Sequence, residues 1–295
     1  MISQPVRTVL LIALSIFPLL SLGGCRGRGG SDGPAVIVSD ESKPDGQGRN
    51  SNARARRAIE YDGPVRRNPD IVVRGNYTPD GRQITWSRAN VPGPFVALTF
   101  DDGPHPTNTP RLLDILKRRN ITATFFVVGS NTNAYPGIIR RMVAEGHEVA
   151  NHTVNHPNLT QLSQNGVRRE LDGSRDAIQR ACGVTPTLMR PPYGALSRYQ
   201  RAWIMEEYRY PTILWDVDPR DWTRPGAAVV ADRIVKGTRN GSIILAHDIH
   251  APTIDAMPST LDRLLGKGFR FVTVSELLAL HQASAPTPEA TGTEE

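Results

Sequence analysis

Between about residues 93 and 280, short apolar, β-branched runs alternate with segments whose apolar residues recur every three or four positions. The runs predict strands over 95–100, 122–129, 147–151, 187–190, 212–218, 242–247 and 269–274. Leu112, Leu113, Ile115 and Leu116 predict a helix over 111–119, and Ile138, Ile139, Met142 and Val143 predict one over 136–145. Further helices are predicted over 167–182, 198–208, 227–236, 257–265 and 275–280. Seven strand–helix units in fewer than 200 residues predict an α/β fold with a parallel sheet, either closed as a small barrel or open and doubly wound. No glycine-rich dinucleotide or phosphate loop follows the first strand, where Asp101-Asp102-Gly103-Pro104 stands instead. Polar segments sit at, or just beyond, the C-terminal ends of the strands, where parallel α/β folds gather their chemistry. An irregular (β/α) barrel of seven or eight strands fits this pattern best.

The flanks read differently. Val9 to Leu20 form an apolar stretch behind Arg7, too short for a comfortable membrane span, so residues 1–25 read as an export signal. The stretch ends in Leu22-Gly23-Gly24-Cys25, which resembles the bacterial lipoprotein cleavage box; by that resemblance Cys25 would carry lipid and hold the protein at a membrane of the cell envelope. An ordinary secretory signal with a coincidental cysteine, or a retained anchor, is the alternative. Residues 26–92 read as a Gly-, Ser- and Arg-rich tether and lead-in, with Ile84-Thr85-Trp86 mildly strand-like, and residues 281–295 as a polar tail. The catalytic domain is placed over 93–280.

The net charge of +6 raises nucleic acid as a partner, but much of the excess lies in the tether, at Arg54-Ala55-Arg56-Arg57 and Arg66-Arg67, without aromatic platforms. A solvated, envelope-facing arm and no nucleic acid is the reading taken, with the protein a monomer. There are two cysteines, Cys25 and Cys182. If Cys25 carries lipid, no disulfide is possible, and Cys182 falls at helical spacing with Val167, Leu171 and Ile178 as a small buried residue.

Five segments carry the chemistry. Asp101 and Asp102 are adjacent carboxylates, which repel unless a cation or a division of labour relieves them; a plain Asp-Gly turn gives the same letters. His152 and His156 stand four apart and can meet one metal from a tight turn; with Asp102 they make a two-nitrogen, one-oxygen set with open positions. Arg190, entering the Pro191-Pro192 turn, needs a carboxylate, and Asp101 is the natural partner, which would hold Asp101 ionised as a general base must be. Asp218 and Asp221 flank a turn capped by Trp222, either a core residue or a stacking face for sugars. The run Ile243-Ile244-Leu245 delivers His247, which a carboxylate such as Asp221 would keep protonated as an acid.

In this order the segments resemble the polysaccharide deacetylase family, carbohydrate esterases that include chitin, chitooligosaccharide, peptidoglycan and xylan deacetylases. The resemblance covers about 93–280, with every catalytic position filled. It implies an irregular (β/α) barrel and a divalent metal, zinc first, with cobalt or another divalent ion as alternatives. Carried over residue by residue, Asp102, His152 and His156 resemble the metal ligands, and Asp101 the catalytic base oriented by Arg190. The Tyr193 backbone N–H resembles an oxyanion donor, and Asp221 the residue that tunes the acid His247. Trp222, Leu245 and Tyr193 resemble the substrate groove and acetyl pocket. The implied reaction removes acetyl groups from N-acetylated sugars. Location favours peptidoglycan N-acetylglucosamine, then chitin or poly-N-acetylglucosamine, then acetyl-xylan. A metal-dependent glycan-binding module without turnover is the rival, against which the presence of both Asp101 and His247 speaks. His105, His147, His250 and Asp248 are left over: His105 and His250 read as solvated loop residues, with a place at the rim touching substrate as the alternative, and His147 has no role.

Overall fold

The computed structural model describes Asn76, Tyr77 and residues 81–283. The segments expected to be an export signal with Cys25, most of the expected tether and the end of the expected tail lie outside the described residues. The strands are β1 (Thr85–Trp86), β2 (Phe95–Asp101), β3 (Thr124–Val127), β4 (Glu148–Asn151), β5 (Thr212–Ile213), β6 (Ile243–His247) and β7 (Arg270–Val272). The helices are α1 (Asn108–Lys117), α2 (Gly129–Ala134), α3 (Pro136–Ala144), α4 (Gln164–Cys182), α5 (Arg198–Tyr208), α6 (Ala227–Gly237), α7 (Ala251–Gly266) and α8 (Val274–Ala283).

Every strand–strand pairing is parallel, and β2 is the hub. One of its edges runs along β6 from Ala97 to Asp101. Its other edge is shared: Phe95–Ala97 pair with β7, and Thr99–Asp101 pair with β3. From β3 the ladder passes to β4, then through single bridges at Met189 to Thr212 of β5, and from Val217 back to Ile244 of β6. The circuit therefore closes, with the split edge of β2 and the one-residue rung at Met189 making the barrel irregular.

Burial on both faces explains the near-continuous apolar sequence of β2. Its period of two sends Val96, Leu98 and Phe100 outward against the helices, where Leu112, Leu116, Ile234, Met257 and Leu261 complete the main core. Ala97 faces the interior with Phe126, Ala150, Ile213 and Ile243, closed by Val274 and Leu277 of α8. By the same alternation Thr99 and Asp101 point inward, so the first catalytic candidate is set by strand geometry. A third cluster joins α4 and α5 through Val167, Leu171, Trp203 and Ile204.

Several elements differ from the sequence pattern. The strand predicted over 187–190 is reduced to Met189, because Pro186 on one side and Pro191-Pro192 on the other have no N–H to give to a ladder. The predicted strand over 212–218 keeps its ladder only at Thr212–Ile213 and touches β6 again at Val217. Helix α7 starts six residues earlier than its pattern, at Ala251, and carries Pro258 inside it. The lead-in joins the barrel: β1 pairs with β5, Ala89 N–H donates to the Gly241 carbonyl at 2.9 Å, and Gly241 has no room for a side chain against the Ala89 carbonyl. Helix α8 runs past residue 280, and the His281 ring packs edge-on to Trp86 at 4.8 Å. Cys182 is half-buried rather than buried, its Sγ on the Ile178 carbonyl.

Candidate active site

The segments singled out in the sequence meet at the C-terminal end of the barrel, around a cavity of about 470 Å³. Asp101, Asp102, His152, His156, Tyr193, Trp222, Leu245 and His247 line it, together with Pro191, Trp215 and Asp218. Arg190 and Asp221 stand behind this wall, both buried, each bonded to a residue that lines it.

Asp102 follows the last residue of β2 in left-handed backbone, φ 74°, which turns it away from its neighbour. Its Oδ1 lies 3.4 Å from His152 Nε2 and 3.2 Å from His156 Nε2. One ligand-type atom from each of the three lies within 4.8 Å of the others. His152 follows β4, and its Nδ1 sits 2.7 Å from the Arg190 carbonyl. A carbonyl only accepts, so Nδ1 carries the proton and Nε2 is left with a lone pair toward Asp102. Asp102 Oδ1 is buried without a hydrogen bond. An orphaned carboxylate oxygen facing two imidazole nitrogens suits a divalent cation, and the N₂O set suits zinc-like ions. Burial opposes ionisation of Asp102, but His152, His247 and His156 overcome it and hold its pKa down at about 2. Burial and His152 push His156 below its ordinary value, toward the neutral form a metal needs.

Asp101 is held from the opposite side. Its Oδ1 accepts from Arg190 at 2.7 Å, while Oδ2 lies 3.8 Å from His152 Nε2. The guanidinium also donates to Thr99 Oγ1 at 2.7 Å and to the Ile213 and Leu214 carbonyls at 3.2 and 3.0 Å. It lies over Phe126, 4.1 Å from the ring centre, with Trp215 at 5.6 Å. A buried arginine so fully partnered fixes the carboxylate in place.

His247 ends β6 on the same side as Asp101, its register partner. Its Nδ1 lies 2.8 Å from Asp221 Oδ1, and its backbone N–H donates to Asp221 Oδ2 at 2.8 Å. Thr253 Oγ1 donates to the same Oδ2 at 2.8 Å, and Trp222 N–H to Oδ1 at 3.0 Å. Burial alone would lower the His247 pKa; the hydrogen bond and charge of Asp221, with Asp101 and Asp102, instead raise it to about 9.

Trp222 is 52% and Tyr193 70% exposed, so Trp222 is a face of the cavity rather than core. No group among the described residues accepts from the Tyr193 backbone N–H. The Tyr193 ring packs 4.8 Å from that of His156. Leu245 is buried at the cavity floor. Of the histidines left over, His250 lies with its ring 5.9 Å from that of His247. His105 caps the turn before α1, its Nδ1 accepting from the Thr107 and Asn108 amides. His147 accepts from the Ala123 amide, a structural task.

Among the described residues, six of the eight non-glycine residues with positive φ belong to these loops: Asp102, Thr153, His156, Tyr193, Arg220 and Arg224. Such backbone costs roughly 1–3 kcal/mol per residue and clusters at functional sites. Thr153, β-branched and so poorly suited to φ 68°, is pinned by its N–H on Asn151 Oδ1 at 2.9 Å and its Oγ1 under the His156 amide at 3.0 Å. Sequence reading missed Trp215, Thr99 and Thr253 and left Asp248 unassigned. Buried Asp248 lies so close under Gly103 that a Cβ there would fall 2.3 Å from its carboxylate.

A family model described as polysaccharide deacetylase matches residues 88–213, which include every metal-ligand candidate; Asp221 and His247 lie beyond that match. The chain is 42% identical over 182 residues to the peptidoglycan-N-acetylglucosamine deacetylase PgdA of Listeria monocytogenes, covering 62% of this chain and 38% of that protein. The chain thus spans well under half the length of that relative. It is 44% identical over 185 residues to a chitooligosaccharide deacetylase of Bradyrhizobium, covering 62% of this chain and 80% of that protein. Among solved structures, the peptidoglycan deacetylase PdaC of Bacillus subtilis matches with a TM-score of 0.61 and 39% identity, over 64% of this chain and 92% of that one.

Proposed function

This chain belongs to the polysaccharide deacetylase family, and on that premise we propose that it hydrolyses the acetamide of N-acetylated sugars in peptidoglycan, N-acetylglucosamine first. The observation that carries the reading is the shared cavity: an N₂O ligand set, a carboxylate braced by a buried arginine, and a histidine braced by a buried aspartate. Peptidoglycan is favoured by relatives such as the Listeria enzyme and by the export signal in the sequence. Chitooligosaccharides are the second choice, on the Bradyrhizobium relative.

Asp102, His152 and His156 would hold a divalent cation, zinc first. When bound, it supplies Lewis acidity, polarising the acetyl carbonyl and acidifying water. Asp101, held in place by Arg190, takes the proton of the attacking water. The Tyr193 amide N–H donates to the oxyanion that forms at the former carbonyl. His247, charged through Asp221, gives its proton to the departing sugar amine, without which the C–N bond does not break. Trp222 bears the sugar ring, and Leu245 meets the acetyl methyl. The protein works outside the cytoplasm, tethered through a lipid on Cys25.

The test is mass spectrometry of peptidoglycan, chitin oligomers and acetyl-xylan after incubation with zinc-loaded protein, with and without chelator. Loss of acetyl mass from peptidoglycan, abolished by chelator, is the expected result. A zinc-loaded protein that leaves all three intact would reduce the site to a glycan-binding one.

A further inference from the structure

Arg220 and Arg224 bracket the single turn that carries Asp221 and Trp222. The Thr223 amide and hydroxyl donate to the Arg220 carbonyl at 3.1 and 2.7 Å, and the Arg224 amide to the Asp221 carbonyl at 2.8 Å. Both arginines are exposed, and both hold left-handed backbone with φ 53°. Residues with a Cβ disfavour that conformation, so the turn is shaped by its surroundings. Those surroundings are the buried Asp221, Arg233 on the Pro219 carbonyl at 2.9 Å, and Asp218 Oδ1 under the Arg220 amide at 2.7 Å.

Elsewhere on the surface, some arginines of this domain sit on carboxylates, Arg111 on Asp255, Arg119 on Asp262, Arg168 on Glu207 and Arg263 on Asp232 at 2.6 to 2.8 Å, while others, such as Arg118 and Arg169, are exposed with no ion pair among the described residues. Neither Arg220 nor Arg224 has a carboxylate within ion-pair distance among the described residues. Asp218, the acid on the same lip, bonds the Arg220 amide and not a guanidinium. The Arg220 guanidinium lies over the Trp222 ring, 5.6 Å from its centre. Arg224 is close enough to act on His250, whose pKa is lowered by burial first, with His247 and Arg224 adding to it. Two cations without an ion pair among the described residues therefore flank, in the chain, Trp222, which lines a cavity whose walls also hold Asp101, Asp102 and Asp218.

We propose that Arg220 and Arg224 form a subsite for carboxylates carried on the sugar next to the one being deacetylated, so that acidic, peptide-branched glycans are favoured over neutral ones. The inference rests on the deacetylase reading of the cavity and narrows its substrate class. Trp222, exposed on the turn that the two arginines bracket in the chain and with the Arg220 guanidinium over its ring, offers a stacking surface from which the branches of a neighbouring sugar would reach the arginines. A guanidinium receives a carboxylate through two parallel N–H donors and keeps its charge at any working pH. Because both side chains are exposed, each contact is modest and salt-sensitive.

Zinc-loaded full-length protein and its R220Q, R224Q and double variants are assayed on two N-acetylated oligomers of equal length, one with free-carboxylate peptide branches and one unbranched and neutral. The ratio of kcat/KM, acidic over neutral, is expected to fall about fivefold per arginine, through KM. Added salt is expected to lower the same ratio in the wild type. An unchanged ratio, or equal losses on both oligomers, overturns the subsite. If the wild type releases acetate from neither oligomer, the deacetylase reading fails, and calorimetry of the same oligomers decides the subsite separately. A preference for the acidic oligomer that the double variant loses supports it, and no preference in the wild type overturns it.

Discussion

Two histidines, His152 buried and His247 half-buried, line the same cavity and are prepared for opposite work. His152 rests its Nδ1 on the carbonyl of Arg190, a neutral acceptor that fixes the tautomer and leaves Nε2 as a lone pair. His247 rests its Nδ1 on the carboxylate of Asp221, which favours a second proton on the ring. The contact distances differ little, 2.7 against 2.8 Å. The charge of the acceptor behind the ring, rather than the depth of burial, decides whether a histidine becomes a ligand or an acid. His147 completes the series: without an acceptor for either nitrogen, burial lowers its pKa to about 4 and it stays neutral.

The comparison breaks most completely at its ligand side. His152→Ala or Asp102→Ala is expected to abolish zinc uptake and acetate release together, read by metal analysis of the dialysed protein beside the assay. Zinc retained at full stoichiometry by either variant would remove that residue from the ligand set. Asp101→Asn should keep the metal and lose about 10²- to 10⁴-fold in kcat, the usual contribution of a general base. Undiminished acetate release would take that role from Asp101.

Asp221→Asn tests the acid side, because it turns the acceptor behind His247 into a neutral one resembling that behind His152. A loss of about 10²-fold in kcat on amide substrates is expected, and a smaller one on an O-acetyl ester, whose leaving group needs less protonation. In NMR titration of the metal-free protein, His247 should lose its proton near pH 9 in the wild type and at lower pH in Asp221→Asn. Titration at the same pH in both would break the contrast. The shift also bears on stability. A raised histidine pKa stabilises the fold fully below the unfolded value of about 6.5, and that contribution is lost as pH rises through about 9. Thermal unfolding of the metal-free wild type should therefore lose an increment between those limits that Asp221→Asn lacks. Smallest is Thr253→Val, which removes one of several donors to Asp221 and should cost only a few-fold in kcat.

Much of this site was legible because strand periodicity is rigid. The alternation in β2 puts Asp101 inside with Ala97 and Thr99, and a buried arginine just after the Met189 rung between β4 and β5 then has a carboxylate to meet. The register of β6 brings His247 beside Asp101 by the same rule. What the letters did not carry was loop geometry. Trp215 lies in a run predicted as strand, and nothing in that run marks it as facing Arg190. Thr253 acts on Asp221 across 32 positions from the first turn of α7, which the pattern started six residues late. The left-handed backbone at Thr153 and Tyr193 follows from tertiary packing around residues whose own preferences oppose it.

The docking of Thr85–Trp86 beside β5 has a practical consequence for anyone preparing a shorter recombinant fragment. Starting such a fragment at residue 93 would strip a neighbour from Thr212 and Ile213 and leave unpaired amides open to foreign strands, a recipe for sticky, poorly soluble material. Beginning it ahead of Ile84 keeps that seam sealed.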